Sequence, residues 1–342
     1  MRHYKYFQLF VLSLSTAALY GNCDADCVNP SPECPQPDIC QVETRSHHGN
    51  DPQEALYDDY SWYFTAPDTD YEFAREHNLW GIWLPEGPPA FRPFIADPRQ
   101  VTFGVGWRFN DRVLGKNLIP VSFGDNFPIF RWIDIWSLRG DLQFEIEGAV
   151  WAIFDPLHES SPLIDADYYV GFPLTYLFGD WAIRLRGYHI STHIGDEFLL
   201  NHPHFDRRNP SIEAFDLYAS YQFTQDIRLY GGLGWVACQD NSYRVGPFYC
   251  QAGAEVHVLK WGYKDYCNRL YGTPFIAIDF YYQSHFKNHV NSNYAIGYEW
   301  GKVSGIRRAF RLFLQYHDGY STEGQFSKYP DRYLAIRGTY GF

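Results

Sequence analysis

Methionine is nearly absent from this chain of 342 residues: one Met stands against 27 Phe, 28 Tyr and 11 Trp. Basic residues are also scarce, with 28 Lys and Arg against 40 Asp and Glu, which leaves a formal net charge of −12. Neutralising a phosphate backbone takes clustered Lys and Arg, so nucleic acid is excluded as a partner. Long apolar runs are missing as well. Beyond the N-terminus no stretch approaches the roughly 18 consecutive apolar residues of a spanning helix, which excludes a helical membrane protein once a leader is removed. A hydrophobic share of 46% and an aromatic share of 19% exclude general disorder. Mean hydropathy is only −0.37. Aromatic side chains in such excess therefore serve something other than one large soluble core.

Residues 1–21, MRHYKYFQLFVLSLSTAALYG, have a basic start at Arg2 and Lys5, an apolar stretch and then small residues. That pattern predicts a secretory signal peptide cleaved near Gly21. Asn22 stands where a small residue precedes a lipidated cysteine, which argues against lipidation of Cys23. Seven cysteines suit an oxidising compartment. Cys23, Cys27, Cys34 and Cys40 lie in a Pro-rich stretch whose spacing matches no usual zinc site, so disulfide stapling or a disulfide-linked protein neighbour is expected. Cys238 and Cys250 flank the turn-rich segment QDNSYRVGPFY and are expected to close it, leaving Cys267 over.

Residues 22–100 are acidic, rich in Pro and Cys, and show little alternation; they read as an irregular periplasmic or plug segment. From Val101 onward the chain turns to period-two segments bounded by Gly, Pro, Asn or Asp. Strands are predicted at 101–109, 119–130, 141–154, 166–178, 181–192, 212–224, 226–238, 247–259, 273–286, 293–301, 309–318 and 331–342. Their connections alternate in length. Short links at Phe178-Gly179-Asp180, Thr224-Gln225-Asp226 and 302–308 are interleaved with long polar links at 155–165, 193–211, 239–246, 287–292 and 319–330, while 260–272 is long on the short side. Short periplasmic turns against long outer loops are the asymmetry of an outer-membrane barrel.

Parity assigns the faces. In the last segment Leu334, Ile336, Tyr340 and Phe342 share one face, and Arg337 and Thr339 the other. Elsewhere Arg184, Arg186, Glu255 and His257 take the luminal parity. Aromatics collect at segment ends: Trp181, Tyr221, Phe223, Tyr340 and Phe342 at one rim, with Trp235, Tyr282 and Tyr316 nearer the other. The terminal Phe342 resembles the signal that outer-membrane proteins present to the barrel assembly machinery. A soluble sandwich or lipocalin-like barrel would also alternate, but with shorter strands and no reason to end in Phe. The expected fold class is therefore all-β: an antiparallel transmembrane β-barrel of about 12 strands over residues 101–342, in the outer membrane of a Gram-negative-type bacterium and surrounded by its lipid.

One segment departs from this pattern. In WAIRLRGYHISTHIGDE, Trp181, Ile183 and Leu185 fix the lipid-facing parity, and steps of two from Leu185 reach Gly187, His189 and Ser191. A His and a Ser thus fall on the outer face, unless a bulge at Gly187 or a one-residue slip turns His189, Ser191 and His193 into a polar ladder in the lumen. On the next strand Glu213 shares the parity of Phe215 and Leu217, at a matching height above the short turn. A hydroxyl nucleophile needs a base within reach, and the base needs an orienting partner.

His-x-Ser on an outward face, with an acid on the next strand, resembles the outer-membrane phospholipase A and lipid A deacylase barrels. That resemblance implies Ser191 as nucleophile, His189 as general base and Glu213 as orienting carboxylate, with Asn209 as a substitute for Glu213. Thr192 stands where those families usually have Asn, and Glu213 lies 22 residues after Ser191, whereas their third member follows more closely. The segments FRPFIADPRQ (91–100), YHISTHIGDEFLL (188–200) and YHDGYSTEGQF (316–326) resemble the bacterial family called domain of unknown function 1207, from which no activity follows.

His193, Asp196 and Glu197 form a candidate metal site, since a loop can fold them together and calcium suits carboxylates at an outer rim; no other cofactor is expected. His47, His48, His202 and His204 read as solvated loop residues, and His317 with Asp318 as anchors for an outer loop. A barrel of this strand number, with long side chains pointing inward, is too narrow for a general porin. The primary expectation is a non-enzymatic barrel, either a narrow channel or a surface or structural protein. The alternative is an outer-leaflet lipid esterase acting through Ser191.

Overall fold

The computed structural model describes residues 73–342, apart from 75, 78, 265–269, 288 and 303–306. The expected signal peptide, His47, His48 and the cysteines Cys23, Cys27, Cys34, Cys40 and Cys267 lie outside the described residues.

A short strand, β1 (Gly81–Trp83), precedes β2 (Phe103–Asp111), β3 (Gly115–Ile135), β4 (Gly140–Phe154), β5 (Leu163–Phe178), β6 (Trp181–Ile194), β7 (Ser211–Gln222), β8 (Ile227–Gln239) and β9 (Phe248–His257). After the two-residue β10 (Tyr263–Lys264) come β11 (Leu270–Gln283), β12 (Asn291–Lys302), β13 (Ala309–Tyr320) and β14 (Pro330–Gly341). Neighbours pair antiparallel, and β14 pairs with β2, Leu334 opposite Phe109 and Tyr340 opposite Phe103, which closes the sheet on itself. Among the described residues β2 to β9 and β11 to β14 form a closed barrel of twelve strands, with β1 added to β3 and β10 to β11. All twelve expected strands are present. Their ends move by a few residues, most at β3, which runs on past the start of β2 and there pairs with β1.

The barrel is inverted relative to a soluble protein. Gln143, Glu145, Asp279, Glu299 and Gln315 are fully buried inside, whereas Phe215, Leu233, Trp235, Ile296 and Leu312 stand exposed outside. Apolar atoms outside and ions inside would be unstable in water and are what hydrocarbon demands. A soluble barrel is excluded on this ground. Along β14 the expected parity holds: Arg337 and Thr339 are buried and Leu334, Ile336 and Tyr340 exposed. Trp181 stacks on Tyr221 with ring centroids 4.6 Å apart at the rim predicted for them.

The connections sort into two ends. The turns at 135–140, 178–181 and 222–227, the start of β2 and the end of β14 share one rim. The links at 154–163, 194–211, 239–248, 283–291 and 320–330 share the other. Gly179, at φ 53°, supplies the left-handed residue of the two-residue turn that joins Phe178 to Trp181.

The lumen is occupied by the chain itself. Residues 85–100 leave β1 at the short-turn rim, run inside the barrel and return to the same rim to start β2. Ala90 N–H donates to Glu145 (2.8 Å), Ile95 N–H to Glu255 (2.8 Å), and Gln315 Nε2 donates to Ala96 O (2.9 Å). Phe94 stacks on Tyr230 at 3.7 Å, with Phe91 and Tyr218 in the same cluster. At the opposite end the β13–β14 loop folds inward as a roof. There Arg108 bonds Glu323 (2.8 Å), Gly324 N–H donates to Asp167 (3.1 Å), and Arg99 donates to Thr322 O and Asp167. A Cβ at Gly324 would overlap Thr192 Oγ1, so the roof can seat only a glycine there.

The expected closure of the 239–249 segment by Cys238 and Cys250 is corrected: both thiols are free. Cys250 sits opposite Leu233, five residues before Cys238 on β8. At roughly 3.3 Å of rise per residue the two positions are about 17 Å apart along the barrel wall, whereas a disulfide spans Cα atoms less than ~7 Å apart.

Candidate active site on the outer wall

Strands β6 and β7 pair without a register shift from Trp181 opposite Tyr221 to Ser191 opposite Ser211. No bulge occurs at Gly187, which faces Phe215 and leaves room for its ring. Parity therefore runs unbroken along β6. Arg184 and Thr192 are buried in the lumen, and Arg186 pairs there with Asp216 and Glu147 (3.1 Å to Glu147). His189, Ser191 and His193 consequently lie on the outer face.

His189 is the direct cross-strand partner of Glu213. Its Nδ1 lies 3.9 Å from Glu213 Oε1, with 43% and 61% of the two side chains exposed. Ser191 follows two residues along, on the same face and three residues from the end of β6 at the long-loop rim. Its hydroxyl has no hydrogen-bond partner among the described residues, so it is available to a group approaching from lipid. The substitute considered for Glu213, Asn209, is elsewhere: its Nδ2 donates to Asp240 (3.1 Å) in the loop above.

Cys238 belongs to the same patch and is invisible to strict alternation. Glu213 pairs with Cys238 but Ala214 pairs with Val236, so Ala237 is a bulged extra residue. Counting by twos from Trp235 would put Cys238 in the lumen; the bulge turns it outward, beside Glu213.

His193, Asp196 and Glu197 do not converge, and among the described residues no group of three or more His, Cys, Asp and Glu is placed to hold a metal ion. His193 remains on the strand, its ring edge-on to Tyr168 at 5.3 Å. After Gly195 the chain turns into a short helix, Asp196–Asn201, and Glu197 accepts a hydrogen bond from Ser160 (2.8 Å) in the neighbouring loop. His202 stacks on Phe198 at the end of that helix. His317 is fully buried between Asn293 Oδ1 (2.7 Å) and Tyr320 O (2.9 Å), where it ties β13 to its outer loop.

The closed antiparallel wall, its apolar outside and its ionic inside define an outer-membrane-type β-barrel. More particularly, the chain belongs to the family described as protein of unknown function DUF1207, whose model matches residues 32–342. No curated protein matches it in sequence. Among solved structures it is similar to outer membrane phospholipase A from Escherichia coli, at 13% identity and a TM-score of 0.48, over 71% of this chain and 93% of that one. It is also similar to LpxR from Salmonella typhimurium, at 11% identity and a TM-score of 0.36, over 70% and 100%. The NanC porin gives 10% identity and a TM-score of 0.35, over 70% and 100%.

Proposed function

We propose that this barrel is an outer-membrane lipid acyl hydrolase working at its long-loop rim, with Ser191 as nucleophile, His189 as general base and Glu213 as the carboxylate that orients His189 and stabilises the imidazolium formed when it takes the Ser191 proton. The observation that carries this reading is the in-register placement of His189 opposite Glu213 on the lipid-facing wall, with Ser191 on the same face. A basic side chain facing lipid costs about 2–4 kcal/mol at the bilayer midplane and ~0–1 kcal/mol near the interface, and a carboxylate such as that of Glu213 costs less. Height near the rim lets such a patch exist where ester carbonyls are found. Ser191 Oγ attacks the ester carbonyl carbon while His189 takes its proton; collapse of the tetrahedral intermediate expels the alcohol, which receives that proton. Water, deprotonated by His189, then cleaves the acyl-enzyme and releases the fatty acid.

The lumen supports this reading over a narrow channel. A continuous path would require residues 85–100 to leave the hydrogen bonds that hold them to Glu145, Glu255 and Gln315. The test is release of fatty acid from phospholipid and from lipid A in mixed micelles by the purified full chain. Activity in the wild type and its loss in Ser191→Ala supports the proposal. A folded wild type that hydrolyses neither lipid returns the protein to a non-enzymatic surface or structural role.

A further inference from the structure

Ser191 has two direct neighbours across the ladder, Tyr168 on β5 and Ser211 on β7. Both lie on its outward face, and neither hydroxyl has a hydrogen-bond partner among the described residues. Resting on the hydrolase reading above, we propose that Ser211 is a further catalytic residue, whose hydroxyl donates to the oxyanion that forms when Ser191 attacks an ester.

Acyl transfer moves the carbonyl π pair onto oxygen, and donors fixed around that oxygen usually supply the largest single share of catalysis. A nucleophile on a turn can use backbone amides for this, but Ser191 stands in a strand paired on both sides. Thr192 N–H donates to Pro210 O (2.9 Å). Such a bond flanks a non-hydrogen-bonded pair, so Ser191 and Ser211 form one. Alternation then turns the Ser191 amide the other way, into the ladder with β5. The two amides nearest the reacting carbon are both spent within the wall, which leaves side chains as the donors.

Ser211 is better placed than Tyr168. Opposed Cα atoms of a non-hydrogen-bonded pair lie about 4.5 Å apart, against about 5.5 Å in the hydrogen-bonded type that joins Ser191 to Tyr168. The Tyr168 ring is also drawn aside, edge-on to His193 at 5.3 Å. On the outer face of β6 and β7, one rung therefore carries base and carboxylate, His189 with Glu213, and the next carries the two hydroxyls. The Ser191 proton leaves along β6 to His189, while the new oxyanion is met from β7. Ser211 keeps its own proton throughout, and its hydrogen bond slackens when the π pair re-forms the carbonyl and the alcohol departs.

Initial rates of the full chain on phospholipid and on lipid A in mixed micelles test this, together with mass-spectrometric location of an alkyl fluorophosphonate label. Expected in Ser211→Ala is a kcat about 10²–10³-fold lower at an unchanged KM, the effect of one lost oxyanion donor. Ser211→Thr, which keeps the hydroxyl, should recover most of that loss. Tyr168→Phe should keep the wild-type kcat, and the label should sit on Ser191. Unchanged mobility of unheated Ser211→Ala in gels establishes that it is folded. With wild type active, a wild-type kcat in Ser211→Ala, an equal loss in Ser211→Thr, a matching loss in Tyr168→Phe or a label on Ser211 overturns the inference and leaves hydrolysis itself standing. A folded wild type that hydrolyses neither lipid instead fails the hydrolase reading, and this inference falls with it.

Discussion

Arg228 and Glu255 are joined inside the barrel at 3.1 Å, and between them they grip both sides of the same turn of the internal segment. Arg228 donates to the carbonyls of Arg92 (2.7 Å) and Pro93 (3.1 Å), while Glu255 accepts from the Ile95 amide (2.8 Å). Removing one partner of a buried pair leaves the other charge stranded, at a cost of about 3–5 kcal/mol. Arg228→Met should therefore loosen residues 92–95 more than it loosens the wall. The expected outcome is faster amide exchange in that segment and ion conductance in planar bilayers where wild type shows little. A variant as closed and as protected as wild type would show that the segment is held mainly by its aromatic packing.

Substitutions in the outer-wall patch should separate activity from stability. His189→Ala is expected to reduce lipid hydrolysis by about 10²–10⁴-fold, the usual contribution of a positioned general base. Because His189 and Glu213 are largely exposed and the pair is long, His189→Ala and Glu213→Ala should each change folding free energy by no more than about 0.5 kcal/mol. Initial rates in micelles and the urea unfolding midpoint report the two effects independently. An equal fall in both would show that the patch is structural.

The roof should respond to acid. Burial alone would raise the Glu323 carboxyl, but the Arg108 and Arg99 guanidiniums, with hydrogen bonds from Arg108 and Ser321, hold it at about 2. A group whose folded value lies below its unfolded one stabilises above the unfolded value, near 4.3, and loses that contribution as pH falls toward the folded value. The roof should thus keep its contacts at neutral pH and loosen between about pH 4 and pH 2, by an amount on the order of 3 kcal/mol. Hydrogen exchange across 321–329 measures this. Glu323→Gln should be looser at neutral pH and should lack the acid step.

The β8 bulge can be read out by thiol chemistry. In variants that keep a single cysteine, Cys238 should react rapidly with a membrane-impermeant maleimide in reconstituted vesicles, because it is exposed near the long-loop rim. Cys250, lower on the same wall and flanked by lipid-facing residues, should react slowly. Protection of Cys238 equal to that of Cys250 would mean that β8 runs without the bulge and buries Cys238.

The barrel was legible because alternation is a local signal: side chains such as Leu334 and Arg337 report their own face, and short turns such as that at Gly179 report their own end. The outward position of His189 and Ser191 was legible for the same reason, since β6 contains no bulge. Glu213 could be matched to His189 by counting from two turns, because that count needs only regular strands. Cys238 could not, since one inserted residue at Ala237 reverses every later assignment. The segment 85–100 carries no periodicity, and its place in the lumen is fixed by distant partners such as Glu255 and Gln315. His193, Asp196 and Glu197 are not brought together, because proximity in sequence ignores the change of direction after Gly195.

The internal segment passes directly into β2, the strand that meets β14 at the closing seam. Its two ends leave by one rim, so it is a loop laid inside the wall, not a thread drawn from one opening to the other. Such a loop need never be pushed through a finished cylinder. The sheet can curl around it, and the last pairing, between the C-terminal strand and the strand that the loop itself leads into, latches the enclosure. The topology thereby lets the filling be in place before the final seam zips shut.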